Sequence, residues 1–316
     1  MPLMTKRHKA LAAITVCVLF WGFSFVSIKI AVEVFPPMTL GAIRFIIAVI
    51  FLFFIKRKMA PGEKIHRKDI LFLAGAGLMG VTLYFFFENN GVALVPASEA
   101  SIIVAVIPVI TMIAEELGDR ISLYRKKRAG MDVTNLGRSP ARVFFSVAGT
   151  IISLGGVGLV AGVSLSLSGT ARGYFFMAGA CICWVCYCFL TRPLFVNHSR
   201  IFIVFWQSVV GLFGFLPFAF MDASWHIPAP HVMGHVVFLG ICCSAMGYWL
   251  YALALETLGV GTTSIFLNFI PVVTALAGFF VLGEKLLALQ WLGAALVFAG
   301  VYLAMIASRA SKTSKK

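Results

Sequence analysis

Charged residues are scarce in this chain, and their scarcity excludes most soluble proteins. Only 12% of the 316 residues are Asp, Glu, Lys or Arg, whereas 60% are hydrophobic. A soluble protein of this length needs far more charge to cover its surface. Together with the mean hydropathy of +0.98, this composition predicts a polytopic membrane protein.

Acidic residues are the rarer charged class, since 12 Asp and Glu stand against 26 Lys and Arg. In a soluble protein such a basic excess would suggest nucleic acid, but here the basic residues are not interleaved with aromatic side chains. They lie between apolar runs: 22 fall on the side of the membrane that carries both termini, two on the other side, and Lys29 and Arg44 inside helices. The positive-inside rule therefore predicts cytoplasmic termini and no nucleic-acid partner.

Several chemical signatures are missing. The sequence contains no HExxH, no GxSxG and no P-loop, so it shows no sign of the commonest metalloprotease, hydrolase or ATPase sites. All seven cysteines lie in apolar segments, which argues against a disulfide framework. Cys181, Cys183, Cys186 and Cys188 would point in several directions on a helix and could not close one metal site. We predict no catalytic residues, no metal and no cofactor.

Long uncharged runs are abundant, and each can cross a bilayer as a helix of about 20 residues. Ten transmembrane helices are predicted, at residues 11–32, 38–55, 70–87, 98–114, 143–163, 173–191, 201–221, 232–255, 262–282 and 289–306. A basic cytoplasmic loop is predicted at 115–142 and a basic cytoplasmic tail at 309–316.

An internal repeat organises these helices. Residues 101–114 (SIIVAVIPVITMIA) return 163 residues later as 264–277 (SIFLNFIPVVTALA), without a gap and with seven of 14 positions identical. Trp21 and Trp184 are related by the same offset, so the chain divides into a first repeat, 10–163, and a second, 171–308. Because five helices per repeat is an odd number, the second repeat crosses the membrane in the opposite direction. The predicted fold is an all-α membrane protein of two inverted five-helix repeats.

Short motifs in both halves resemble those of EamA-type transporters, in the drug/metabolite transporter superfamily. They are residues 20–25 (FWGFSF), 36–39 (PPMT), 42–45 (AIRF), 96–101 (PASEAS) and 283–286 (GEKL). No single motif is specific, but their order spans nearly the whole chain, about 10–308. The chain departs from the pattern at loop 115–142, where residues 118–120 (GDR) resemble 283–285 but do not lead directly into the fifth helix.

The resemblance implies alternating access through a central cavity between the two halves. The expected function is secondary transport of a small organic metabolite or drug-like solute, with a coupled proton or an exchanged solute, in contact with membrane lipid. The expected location is a bacterial cytoplasmic membrane. Two alternatives remain: a non-transporting scaffold or sensor, for which loop 115–142 is the best feature, and a membrane-embedded enzyme that acts on lipid.

The candidate cavity residues are polar or aromatic groups in the predicted helices. Pro108 and Pro271 each remove a backbone hydrogen bond, to the carbonyls of Val104 and Leu267, so both repeated helices should be broken. On a helical wheel the polar residues around each proline share one face; Asn268, the most polar, could equally join two helices. The candidates are Trp21, Ser24, Ser101, Pro108, Thr111, Trp184, Tyr187, Tyr248, Ser264, Asn268, Pro271 and Thr274.

Charges in or near the helices form a second group of candidates, because intramembrane charge is costly and usually functional. Lys29 and Arg44 could form fixed ion pairs, act in gating or touch the solute directly, and Lys29 could also extend to the interface. The acidic candidates are Glu33, Glu88, Glu99 and Glu256. Separately, Gly158 and Gly162 are spaced for a close contact between helices.

Overall fold

The computed structural model describes residues 5–128, 140–160, 170–221, 228–282 and 288–313. Throughout these ranges the regular structure is helical, without strands. Nine helices there are long and apolar enough to span a membrane, and a tenth apolar stretch, Ala288–Ala304, is shorter. The chain is a multi-pass, all-helical membrane protein, as its composition predicts.

The first half contains seven α-helical segments. They are α1 (Lys6–Ala31), α2 (Pro37–Met59), α3 (Ile70–Gly77), α4 (Tyr84–Leu94), α5 (Ala97–Val104), α6 (Ile107–Arg128) and α7 (Pro140–Val160). The Thr5 hydroxyl accepts from the His8 amide at the start of α1, and Pro37 opens α2 at the position where its missing N–H is not needed. α4 continues past the predicted end at residue 87, because the next proline in the chain is Pro96.

The second half contains seven more. They are α8 (Ala171–Thr191), α9 (Arg200–Met221), α10 (Pro230–Phe238), α11 (Gly247–Leu258), α12 (Val260–Ile265), α13 (Phe269–Leu282) and α14 (Ala288–Thr313). Gly259, with φ of 85°, allows the sharp turn between α11 and α12. α14 runs through most of the predicted tail 309–316, whereas the motif 283–286 lies outside the described residues.

The sequence predicts a basic loop over residues 115–142, and this prediction was wrong for residues 115–128. α6 continues without interruption to Arg128, and an ion pair of 2.8 Å between Arg120 and Glu116, one turn apart, supports this extension. Charge at residue 115 marks the end of the apolar part of the helix, not the end of the helix itself. Residues 129–139 lie outside the described residues.

Both predicted helix breaks are present. α5 ends at Val104 and α6 begins at Ile107, one residue before Pro108. The equivalent α12 and α13 are separated by a 3₁₀ turn, Phe266–Asn268, shortly before Pro271. At the first break the Ala105 and Val106 amides bond three residues back, each at 3.0 Å. The breaks confirm the expectation from the two prolines.

Two π-helical segments were not predicted. Leu78–Leu83 joins α3 to α4, and Leu239–Met246 joins α10 to α11. Each pair therefore forms one long helix with a π-helical segment in its middle. The two segments overlap at the repeat offset of 163 residues. π segments displace carbonyls from the regular helical ladder and often occur at functional sites.

Helices from the two halves pack against each other throughout the bundle. α1 contacts α11 and α13, α2 contacts α9, and α4 contacts α8. α7 and α14 approach each other closely, with Gly149 against Gly300 and Gly156 against Gly293, so the two helices run antiparallel. The predicted contact at Gly158 was wrong, because a Cβ there would have no neighbour within 4 Å. Gly162 lies outside the described residues.

Candidate functional site

A small cavity lies between the two halves, where both broken helices meet α1, α2, α4, α8 and α11. From the breaks, Val104 and Ile107 of the first half and Leu267 and Ile270 of the second half line it. The second pair is the first pair shifted by the repeat offset. The cavity volume is about 20 Å³, and a single water requires about 10–15 Å³ on this measure. An organic solute therefore enters only if the surrounding helices move apart.

Arg44 on α2 is the cation of this cavity. The side chain is 2% exposed, its Nε donates to Ser244 Oγ at 2.9 Å, and its guanidinium carbon lies 4.1 Å from the centre of the Phe85 ring. The buried Nη1 has no hydrogen-bond partner. Ser244 belongs to the π segment Leu239–Met246, so that segment orients the guanidinium and leaves one nitrogen for a further acceptor.

Glu88 on α4 is the acidic side chain of this cavity. It is 4% exposed, and the Tyr84 hydroxyl, one turn earlier, donates to its Oε1 at 2.7 Å. Arg44 is the cation whose field acts on it, although the described residues contain no ion pair of Arg44 within 4.0 Å. Two buried charges that share a cavity without direct contact are expensive for the fold. Such an arrangement fits groups that bind something between them.

An aromatic wall completes the cavity. Trp21 and Trp184 meet edge to face at a centroid distance of 5.1 Å, and Tyr248 lies 5.9 Å and 5.6 Å from them. Trp21 Nε1 donates to the Cys243 carbonyl at 3.0 Å, and Tyr248 Oη donates to the Gly80 carbonyl at 2.5 Å. Both carbonyls belong to π segments, which therefore fix the orientation of the rings.

Six predicted site residues line this cavity, and the other cavity candidates do not. The lining six are Trp21, Ser24, Arg44, Glu88, Trp184 and Tyr248. The candidates outside its lining are Ser101, Pro108, Thr111, Tyr187, Ser264, Asn268, Pro271 and Thr274. Thr111 Oγ1 donates to Ser264 Oγ at 3.2 Å, and Thr274 Oγ1 donates to the Gly22 carbonyl at 2.9 Å. The Tyr187 ring packs against the Trp184 ring, with 5.0 Å between the two ring centroids.

The remaining charged candidates have other partners. Lys29 Nζ donates to the Val92 and Val95 carbonyls, at 2.9 and 3.2 Å, where α4 ends. These contacts take the place of the fixed ion pair that the sequence suggested for Lys29. The Tyr174 hydroxyl donates to Glu99, and Glu256 pairs with Arg200 at 3.0 Å near the surface. Glu33 is exposed in the turn after α1.

Sequence reasoning missed Tyr84, Phe85 and Ser244. Tyr84 and Phe85 stand in an aromatic run, in which lipid contact and packing are the ordinary roles. The available signal was the spacing of Tyr84 and Glu88, which places them one turn apart on a helix. Ser244 carried no such signal, because its partner Arg44 lies 200 residues away.

Asn268 has a structural contact that leads to a prediction. Its Nδ2 donates to Ser153 Oγ on α7 at 2.7 Å, and both side chains are fully buried. We expect Asn268→Ala to lower the stability of the folded protein by about 1 kcal/mol, as is typical of interhelical hydrogen bonds in membranes, and to preserve transport. Thermal unfolding in detergent measures the loss. Ser153→Ala should give a similar loss and the double variant little more; loss of transport at normal stability would contradict this role.

Comparison with known proteins places this chain in a family. The model described as the EamA-like transporter family matches residues 8–126 and 171–306. A solved crystal structure superposes with a TM-score of 0.74 over 96% of this chain and 98% of that chain, at 18% identity. At that level of identity the similarity shows a shared fold only.

Curated relatives align over almost their whole length. An uncharacterised transporter of Archaeoglobus fulgidus is 26% identical, with 90% of this chain and 95% of the relative covered. A protein named probable terminal-alkyne amino-acid exporter, from Streptantibioticus cattleyicolor, is 26% identical with 94% of each chain covered. A protein named probable amino-acid metabolite efflux pump, from Salmonella typhimurium, is 24% identical with 99% of each covered. With its family match over most of its length, this chain belongs to the EamA-like transporter family.

Proposed function

We propose that this protein is a secondary transporter of a small organic metabolite of the amino-acid class. The observation that carries the proposal is the placement of Arg44 and Glu88. Two buried side chains of opposite charge face one aromatic-walled cavity between the halves of a membrane protein. Intramembrane charges are rare because they are costly, and they commonly mark a solute pathway. The names of two relatives, an amino-acid exporter and an amino-acid metabolite efflux pump, support the solute class.

Inverted repeats are the proposed architecture, and the α7–α14 contact supports them. The last helix of each repeat is related by an offset of 144 residues instead of 163, because the first half has 19 more residues between its fourth and fifth helices. At this offset Gly149 corresponds to Gly293 and Gly156 to Gly300. Gly149 meets Gly300, the counterpart of Gly156, and Gly156 meets Gly293, the counterpart of Gly149. A two-fold axis generates this reciprocal pattern. Trp21 also touches its own counterpart, Trp184. A two-fold axis in the membrane plane with the site at the repeat interface is common in secondary transporters.

The small size of the cavity supports a mechanism of alternating access. A solute much larger than water needs the two halves to separate on one side and then on the other. Both termini are proposed to lie in the cytoplasm, from the distribution of Lys and Arg, and the membrane to be a bacterial cytoplasmic membrane. A coupled proton or an exchanged solute would drive the movement.

Counterflow in sealed proteoliposomes tests this function. Vesicles preloaded with one unlabelled L-amino acid are diluted into a trace of the labelled form, for each standard amino acid in turn. We expect transient accumulation for a few of them, which needs no imposed ion gradient. Protein-free vesicles control for leakage. No counterflow across the panel, from protein that is folded and inserted, would favour a scaffold or sensor.

A further inference from the structure

Arg44 and Glu88 differ in how many of their hydrogen-bonding atoms have partners. Arg44 is fixed by Ser244 and Phe85 but keeps one buried nitrogen, Nη1, without an acceptor. Glu88 accepts one hydrogen bond, from Tyr84, and a carboxylate has room for about three more. The cavity therefore has a free donor on Arg44 and free acceptor capacity on Glu88.

We propose that Arg44 binds the carboxylate of the solute and that Glu88 alternately binds the ammonium group of the solute and a proton. This inference rests on the proposed transport of amino-acid-class solutes. Guanidinium and carboxylate form charge-assisted hydrogen bonds, so an α-amino acid can satisfy both side chains once the helices have moved apart to admit it. Without solute, the Glu88 carboxylate takes up a proton from the aqueous phase of the open side. It releases that proton to the water when an ammonium group arrives.

Solute and proton then cross the membrane in opposite directions. Because they compete for one carboxylate, the site holds one or the other at each crossing, and a proton gradient drives solute the opposite way. The titratable and charged groups that face Glu88 are Tyr84 on its own helix, Arg44 on α2, Cys181 on α8, Cys243 in the π segment and Tyr248 on α11. Glu88 is the carboxylate that these groups surround, and the ammonium group of a solute is a suitable partner for it.

The experiment measures proton release on solute binding to purified protein in weakly buffered detergent. The probes are L-leucine and L-phenylalanine, each with its deaminated acid (4-methylpentanoate, 3-phenylpropionate) and its decarboxylated amine (3-methylbutylamine, phenethylamine). In acidic solution we expect about one proton released per amino acid or amine bound, and none released by the acids. The apparent affinity for the amino acid should rise with pH by at most about tenfold per unit, until Glu88 is fully ionised.

Variants of Glu88 separate this role from a structural one. Glu88→Gln keeps an oxygen that can accept from Tyr84 but cannot take up a proton, so proton release and the pH dependence of affinity should both disappear. Glu88→Asp keeps a carboxylate and should restore both. Unchanged proton release in Glu88→Gln would overturn the inference, as would binding to the wild type without any release.

Failure of the proposed function gives a different result. If wild-type protein shows amino-acid counterflow but releases no proton, transport stands and the role of Glu88 falls. If no amino acid binds or exchanges at all, the proposed function falls, and the inference falls with it.

Discussion

Replacing Arg44 by alanine is expected to abolish solute transport and to lower the stability of the fold by about 3–5 kcal/mol. The side chain is 2% exposed and its charge offsets that of Glu88 across the cavity. While Glu88 is ionised, removing Arg44 leaves a buried carboxylate without a compensating cation, which is more damaging than removing both charges. Counterflow in proteoliposomes measures transport, and thermal unfolding in detergent measures stability.

A double variant separates these two effects. Arg44→Ala combined with Glu88→Gln removes the uncompensated charge, so we expect much of the lost stability to return while transport stays absent. Arg44→Lys should fold, because it keeps one positive charge, but a lysine lacks the planar fork that holds Ser244, Phe85 and a solute carboxylate together. Normal transport by Arg44→Ala would exclude this residue from the solute site.

The breaks in the repeated helices could be predicted because their cause is local. A proline removes its own amide from the helical ladder wherever it stands, so Pro108 and Pro271 locate the breaks without knowledge of any neighbour. The same holds for the membrane-spanning helices, whose apolar length is written in consecutive residues. The sequence repeat adds that a helix or a helix break in one half should have a counterpart in the other half.

The role of each polar residue could not be predicted in the same way, because its partner lies far along the chain. Asn268 reaches Ser153, 115 residues away, and Arg44 reaches Ser244, 200 residues away. A helical wheel shows that Asn268 shares a face with Ser264, Pro271 and Thr274. It does not show whether that face meets a cavity or another helix. Arg44 and Glu88 were found as candidates for a simpler reason, which is that charge inside a membrane needs a partner.

The π segments are the part of the site that the sequence concealed. Their residues, such as 78–83 (LMGVTL), form an ordinary apolar run, and nothing in it indicates a wider turn. Gly80 lies so close to the Tyr187 ring that a Cβ there would clash with it. The displaced carbonyls of Gly80 and Cys243 then orient Tyr248 and Trp21. Wide turns, which no local pattern indicated, thus shape the aromatic wall.

Gly156→Ala is expected to destabilise the protein by about 3 kcal/mol or more, whereas Gly155→Ala next to it is tolerated. A Cβ at Gly156 would lie 2.6 Å from the Gly293 carbonyl oxygen and 2.7 Å from the Val297 amide nitrogen. Because these atoms are backbone, no rotamer change relieves the clash, and α7 and α14 must separate. A Cβ at Gly155 has no neighbour within 4 Å. Thermal unfolding of the two variants in the same detergent compares them directly.

A third variant tests whether the contact behaves as one unit. Gly293→Ala places its Cβ 2.6 Å from the Gly156 carbonyl oxygen, so it should destabilise the protein about as much as Gly156→Ala. Once either methyl group has forced the helices apart, the second has room, and the double variant should lose much less than the sum of the two. Simple additivity would mean that the helices do not move as rigid bodies. A loss well below the sum would mean that α7 and α14 pack as one rigid pair.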